Sequence, residues 1–421
     1  MKVNVIHTDM NPCGGAEQLA LATLQALTEM GMQVDLTVAR EPDVARIEKA
    51  FGDKAAGVFD RVRVRPLGRL PVELDDGALT CRAAGNMREY GLIVNTHGDI
   101  LPYSDPSFAG RMVTYCHFPV AAHYYIQHNM EYLRSFVDLG LFDDKVIQAA
   151  AGDRFWQSLR DYYLLMLRNS LVATNSQYSR QAITGVMKNC ALGEPAVIAP
   201  PVCVEEFRNA ALFSAPREDS VLVVSRIHPS KKLENAVELA RMLKGQGLGK
   251  KMVIAGNLSP ADRFGQKYHG CLLEMVERRG LSGYVKIIPN LGLRELWSLM
   301  QRSKAYFHPL QGEPFGISVA EAMSAGLVPV VPDTGGPTEF VPKKYQFHSL
   351  EGAAGIVRNS FKATDKERLL LSDSVRRFSL QAYLQRFSQF VRSALEPVEP
   401  SPKLTLHKRP EGHAVRHSES L

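Results

Sequence analysis

The chain is 421 residues long, 45% apolar and 22% charged, with a formal net charge of +6. This length suits about two domains, and the composition is that of an ordinary soluble globular protein. The mild positive charge allows attraction to anionic lipid or to phosphorylated substrates and argues against a nucleic-acid partner.

Met1–Ile6 enters a strand at once, and no apolar run approaches the roughly 18 residues that span a bilayer, so neither a signal peptide nor a membrane anchor is expected. The strand Val3–His7 runs through Asn11–Glu17 into a helix that Gly31 stops near Met30, and Met32–Val38 is the next strand. This is a βαβ start with Gly14 and Gly15 in its first turn, where two adjacent glycines let a phosphate or sugar approach backbone N–H groups. The Gly-x-Gly-x-x-Gly fingerprint is absent, which counts against a dehydrogenase. Arg61, Arg63, Arg65 and Arg69 form a basic cluster, and Lys403, Lys408, Arg409 and Arg416 another, both read as solvated charge.

Further strands are expected at Leu92–Thr96, Met112–Cys116, Leu171–Asn175 and Ala196–Ala199, with helices between the later ones, hence a mostly parallel sheet. Asp99, just past one strand end, is a cleft candidate, with a loop cap the stronger reading. The aromatic stretch 121–163 is read as helical and mainly core, with contact to a lipid-linked acceptor or membrane face as the minority reading. Pro200 to Pro216 is turn-rich and reads as a linker. The strand–helix alternation then restarts at Ser220 and runs through a second doubly wound domain. Ser374–Leu395 carries apolar residues at helical spacing, and the proline-rich end beyond Glu396 is expected to be disordered. The six cysteines, at 13, 81, 116, 190, 203 and 271, contain no Cys-x-x-Cys pair and read as reduced thiols of a cytoplasmic protein.

Three stretches carry chemistry. Ala305–Leu310 is a strand, Gln311–Gly316 a Gly/Pro break, and Ile317 onward a short helix closed by Gly326. Strand-to-helix joins of parallel sheets hold ligands, and the N–H groups of Phe315, Gly316 and Ile317 suit an anion there. Glu313 and Glu321, eight positions apart, would repel a phosphate unless they bind hydroxyls, a combination that fits a nucleotide-sugar. In the second stretch, Arg226 and Lys231 follow the second domain's first strand and can converge on a diphosphate, with no Asp-x-Asp metal motif in the chain. These cations can replace a divalent ion at the leaving group, so neither metal nor cofactor is expected. In the third, His117 ends a strand within Thr114-Tyr115-Cys116-His117-Phe118-Pro119, facing an interdomain cleft.

The string from Glu313 to Glu321, with Pro314-Phe315-Gly316 and the trailing Gly335-Gly336-Pro337, resembles the glutamate-x7-glutamate signature of family 4 glycosyltransferases, retaining enzymes of the GT-B fold. Ser225-Arg226 with Lys231 is similar to the same family's phosphate motif, although Lys232 stands where the family has Gly. The Tyr115-x-His117-x-Pro119 string, Thr174-Asn175-Ser176 and Pro200-Pro201-Val202 resemble dolichol-linked-oligosaccharide α-1,2-mannosyltransferases and their prokaryotic relatives. The resemblance implies an α/β GT-B protein of two Rossmann-like domains facing a cleft, with an acceptor-side domain at 1–205 and a nucleotide-sugar domain at 206–375. A crossover helix at 376–396 would return to the first domain, and 397–421 is the expected tail. By the same resemblance His117 meets the donor sugar and the acceptor side, Glu313 the sugar hydroxyls, Glu321 the ribose, and Gly14–Gly15 the diphosphate. No residue serves as a covalent nucleophile in that family's front-face mechanism. The expected activity is retaining hexosyl transfer, mannose favoured, from GDP-mannose ahead of a UDP-sugar, to a glycan or lipid-linked acceptor. Peripheral placement at the inner membrane face goes with that acceptor. The rivals are a UDP-sugar-dependent glycosyltransferase, a sucrose- or trehalose-type synthase or epimerase, and a non-catalytic nucleotide-sugar-binding protein.

Overall fold

The computed structural model describes residues 1–69, 72–81, 89–97, 111–168, 170–187, 193–211, 216–260 and 262–395. Asp99 and the tail expected at 397–421 lie outside the described residues.

The first sheet is built from β1 (Lys2–Ile6), β2 (Gln33–Val38), β3 (Arg63–Pro66), β6 (Leu92–Asn95), β7 (Met112–Tyr115), β8 (Leu171–Thr174) and β9 (Ala196–Val197). Between β3 and β6 a short antiparallel hairpin, β4 (Val72–Asp75) with β5 (Ala78–Cys81), stands apart from it. The order is β3-β2-β1-β6-β7-β8-β9, with every pairing parallel. The second sheet takes β10 (Glu218–Val224), β11 (Lys251–Gly256), β12 (Val285–Pro289), β13 (Ser303–Phe307), β14 (Val328–Pro332) and β15 (Gln346–Phe347), in the order β12-β11-β10-β13-β14-β15, again all parallel. Successive strand residues point to opposite faces, so each sheet feeds two cores. On β10, Val221 and Val223 pack into one core and Leu222 into the other, all fully buried. These are two doubly wound halves, matching the GT-B architecture.

The aromatic stretch folds as helices Val120–Ile126, Met130–Asp138, Lys145–Ala149 and Asp153–Arg168, and it turns inward. Tyr125, Phe136, Phe142, Phe155, Trp156 and Tyr163 are buried in one cluster against the first sheet. Core packing accounts for them.

Two expectations shift in detail. The linker region contains a helix, Val204–Ala211, and its Phe207 is buried in the second domain's core beside Trp297. A turn-rich sequence hid an amphipathic helix of eight residues, about two turns. The C-terminal helix starts at Leu380, not Ser374, because Ser379 bridges Val202 and marks the crossing point. Val375 and Phe378, before it, pack in the second domain, whereas Tyr383, Leu384, Phe387 and Val391 pack in the first. There the Tyr383 hydroxyl hydrogen-bonds Thr23 at 2.7 Å on the Gly15–Glu29 helix. Among the described residues no helix is long and apolar enough to cross a membrane.

Candidate active site

Strand order locates the site. In the first sheet the order reverses between β1 and β6, and in the second between β10 and β13. Open parallel sheets leave a crevice beyond the carboxyl ends of the strands at such a reversal. The two crevices face each other and merge into a cavity of about 470 Å³. Gly14, Gly15, His117, Arg226, Lys231, Glu313, Phe315, Gly316, Ile317 and Glu321 all line it.

Two helix starts converge in that cavity. One is the Gly15–Glu29 helix of the first domain and the other the Ile317–Ser324 helix of the second. A Cβ on Gly15 would stand 2.8 Å from Cδ1 at the tip of the Ile317 side chain, so the two starts approach closely across that side chain. Gly316 caps the second helix at φ 90°, a left-handed conformation that favours glycine. The first-turn N–H groups of a helix have no intrahelical acceptor, so both starts offer donors and positive dipole ends to an anion between them. The Phe315 ring turns away, into the core against Phe340 and Phe378.

On the second-domain wall, Arg226 lies just past β10, its side chain makes no hydrogen bond or ion pair among the described residues, and its charge reaches Glu17 and His97 across the cleft. The Lys231 ammonium donates to Glu313 Oε2 at 2.8 Å, and the buried His308 stands 3.4 Å from the same oxygen. Burial alone would raise the Glu313 carboxyl, but Lys231 and His308 outweigh it and hold it well below the usual carboxylate range. Backbone bonding fixes this acid as well: the Gly336 N–H donates to the Glu313 carbonyl at 2.8 Å, and the two chains pair at Gly335. The Gly-Gly-Pro string is therefore a support for Glu313. Glu321 has no cation beside it, and burial pushes its carboxyl up to about 8, against a hydrogen bond from Gln18. The surroundings thus drive the two acids of the motif in opposite directions. Lys232 adopts φ 52°, ψ 42°, the left-handed geometry for which glycine is suited.

On the first-domain wall, His117 donates from Nε2 to the Thr96 carbonyl at 3.0 Å, leaving Nδ1 as the acceptor nitrogen of a neutral ring. Burial holds its pKa down at about 4, against that hydrogen bond. The Asn175 amide secures the His117 carbonyl at 2.8 Å. The Gly14 N–H, expected to face a diphosphate, is taken: it donates to Glu17 Oε2 at 2.5 Å. Glu17, His97 and His308 line the cavity too. The sequence offered only one hint of them, the Glu17 three residues past a glycine cap. Glu17 meets His7 and His308 meets Glu313 over short stretches of chain, whereas His97 packs on His7 from a strand far along it. Among the described residues no group of three or more His, Cys, Asp or Glu side chains is placed to hold a metal ion.

Comparison with known proteins bears on the fold and on the second domain. Residues 205–381 match the model of the glycosyl transferases group 1 family. The chain carries a glycosyltransferase group 1 domain. Among curated relatives, a GDP-Man:Man(3)GlcNAc(2)-PP-Dol alpha-1,2-mannosyltransferase of Neurospora crassa is 26% identical over 204 residues, which is 44% of this chain and 36% of that protein. A GDP-mannose:cellobiosyl-diphosphopolyprenol alpha-mannosyltransferase of Xanthomonas campestris is 27% identical over 190 residues, 44% of this chain and 43% of that one. The chain spans half or less of the length of the first such relatives. Among solved structures, Anabaena HepE in complex with UDP and glucose superposes with a TM-score of 0.64 at 18% identity, covering 93% of this chain and all of HepE, a likeness of fold. GT-B is thus the fold of the whole described molecule.

Proposed function

We propose that the group 1 domain and its partner domain form a nucleotide-sugar-dependent hexosyltransferase that retains anomeric configuration, with mannose from GDP-mannose as the favoured donor. The observation that carries this reading is the grouping of Arg226, Lys231 and two helix starts around one cavity that also holds Glu313 and Glu321. The cations and amides meet the charge that grows on a departing nucleoside diphosphate, with no divalent ion required. Glu313, ionised, accepts from the donor sugar's hydroxyls. Glu321, whose proton burial favours, meets the ribose as donor or acceptor. His117 presents Nδ1 toward sugar and acceptor, and the leaving phosphate takes the proton of the attacking hydroxyl.

Lys231 is engaged by Glu313. Donor binding gives this ammonium a second anion, so the lysine bridges the diphosphate and the acid that holds the sugar. The mannosyl preference and the glycan or lipid-linked acceptor, with peripheral membrane contact, follow the named relatives from Neurospora and Xanthomonas. UDP-sugar use is the second reading, favoured by the HepE likeness.

A thermal-shift screen with GDP-, UDP-, ADP- and dTDP-sugars, followed by transfer of labelled sugar to lipid-linked acceptors, tests this. One nucleotide class should stabilise the protein, by about 2.7 kcal/mol at a hundredfold excess over Kd. A protein that no nucleotide-sugar stabilises, or one that binds without transferring, overturns the enzyme reading.

A further inference from the structure

Glu17 is an acid beside a cavity that the reading above fills with a diphosphate. It is 7% exposed, and through Oε2 it fixes the Gly14 N–H at the helix start. An uncompensated carboxylate there would oppose the anion whose binding loop it braces. Its other oxygen, Oε1, lies 3.3 Å from Nε2 of His7, a fully buried ring at the end of β1.

The hydrogen bonds around His7 determine where its protons lie. The Thr96 hydroxyl has a single proton and donates it to the Ile6 carbonyl at 3.0 Å. Its oxygen must therefore accept from His7 Nδ1, also at 3.0 Å. With Nδ1 protonated, the contact from Nε2 to Glu17 holds one more proton, and the pair is neutral overall wherever that proton sits. Burial would raise the Glu17 carboxyl, but His7 and Arg226 bring it below the ordinary range. The neighbouring His97, 5.5 Å away ring to ring, is driven down to about 3 by burial and supplies no charge of its own.

We propose that His7 and Glu17 are a charge-compensated positioning pair for the donor diphosphate. Glu17 sets the Gly14–Gly15 backbone, and the proton held between Glu17 and His7 cancels the charge that this task introduces. The inference rests on the nucleotide-sugar reading, and its test separates the two.

Binding of GDP and of UDP, each against its uncharged nucleoside, is measured by calorimetry for the intact chain and three variants. His7→Gln keeps a hydrogen-bond donor but removes the ring that shares the compensating proton with Glu17. It should weaken the diphosphate about tenfold while leaving nucleoside affinity in place. His7→Gln/Glu17→Gln removes both charges and should recover the diphosphate to within about threefold of the unmodified chain. Additive losses in the double variant, or His7→Gln binding like the unmodified chain, overturn the pair. Glu17→Gln alone, which serves if His7→Gln does not fold, should hold or raise the diphosphate-to-nucleoside affinity ratio, and a tenfold fall overturns the proposal. If the unmodified chain binds neither diphosphate, the functional reading fails first and takes this inference with it.

Discussion

At the scale of single residues, the site depends on groups held away from their ordinary charge. Lys231→Ala should remove the ammonium that steadies the leaving diphosphate, lowering transfer by about a hundredfold or more in a labelled-donor assay. It also strands Glu313, which is 14% exposed, so a chemical-denaturation midpoint should fall by the equivalent of about 1–3 kcal/mol while the chain still folds. Glu321 gives a pH signature. Its folded-state pKa, about 8, lies above the unfolded value, so between pH 4.5 and 8 the unfolded chain sheds a proton that the folded chain keeps. Stability then declines with rising pH across that window, at up to about 1.4 kcal/mol per unit from this group. Glu321→Gln should flatten the decline in a series of denaturation curves, gaining on the unmodified chain toward pH 8. Arg226, Lys231, Glu313 and Glu321 were legible in the sequence because each lies near a Gly/Pro break after an apolar strand. His7, Glu17, His97 and His308 were not. His7 pairs with Thr96, 89 positions apart, which no local spacing encodes, and the nearer pairs His7–Glu17 and His308–Glu313 follow no motif read in the sequence.

At the scale of elements, the site is two strand-to-helix joins pressed together. Gly15→Val would put branched carbon into the space of Ile317 and separate the two helix starts. The expected result is at least tenfold weaker nucleotide binding by calorimetry with an unchanged far-UV spectrum, since the helix itself accepts valine at a cost of well under about 1 kcal/mol. Lys232 makes the opposite case. A left-handed lysine carries about 1–2 kcal/mol of backbone strain, and glycine gives part of that back through the freer unfolded chain. Lys232→Gly should therefore raise stability by about 0.5–1 kcal/mol, read as a higher melting temperature, and a lower one would contradict the assignment. Most of the buried strands were readable from their apolar runs, because strands covered on both faces need nothing but apolar residues. β3, with Arg63 and Arg65 along an edge, was read as surface charge. Arg65 reaches inward to the buried Asp35 on β2 at 2.6 Å, and no pattern of hydrophobicity signals such a strand.

At the scale of the whole molecule, the cavity exists only while the two domains face each other, and polar contacts across the cleft hold them so. Ser176 donates to the Pro314 carbonyl at 2.7 Å, and the Asn257 amide donates to the Cys13 carbonyl at 2.6 Å. Glu339 does something further: its two carboxylate oxygens accept from the N–H groups of Gln177 and Tyr178 at 3.1 and 2.8 Å. A second-domain acid thus caps the first-domain helix Gln177–Met187, and domain closure satisfies donors that opening returns to water. Such a cap contributes about 1 kcal/mol, enough to move an open–closed balance about fivefold. Glu339→Ala should shift the empty protein toward the open form, seen as a larger radius of gyration in solution scattering. Saturating donor, which binds both walls, should bring it back. Because closing must then be driven by the ligand, apparent donor affinity should weaken about fivefold with the rate at saturation little changed. Equal scattering curves for Glu339→Ala and the unmodified chain, or a loss confined to the saturated rate, would assign closure to the C-terminal helix and its Tyr383–Thr23 contact instead of this clasp.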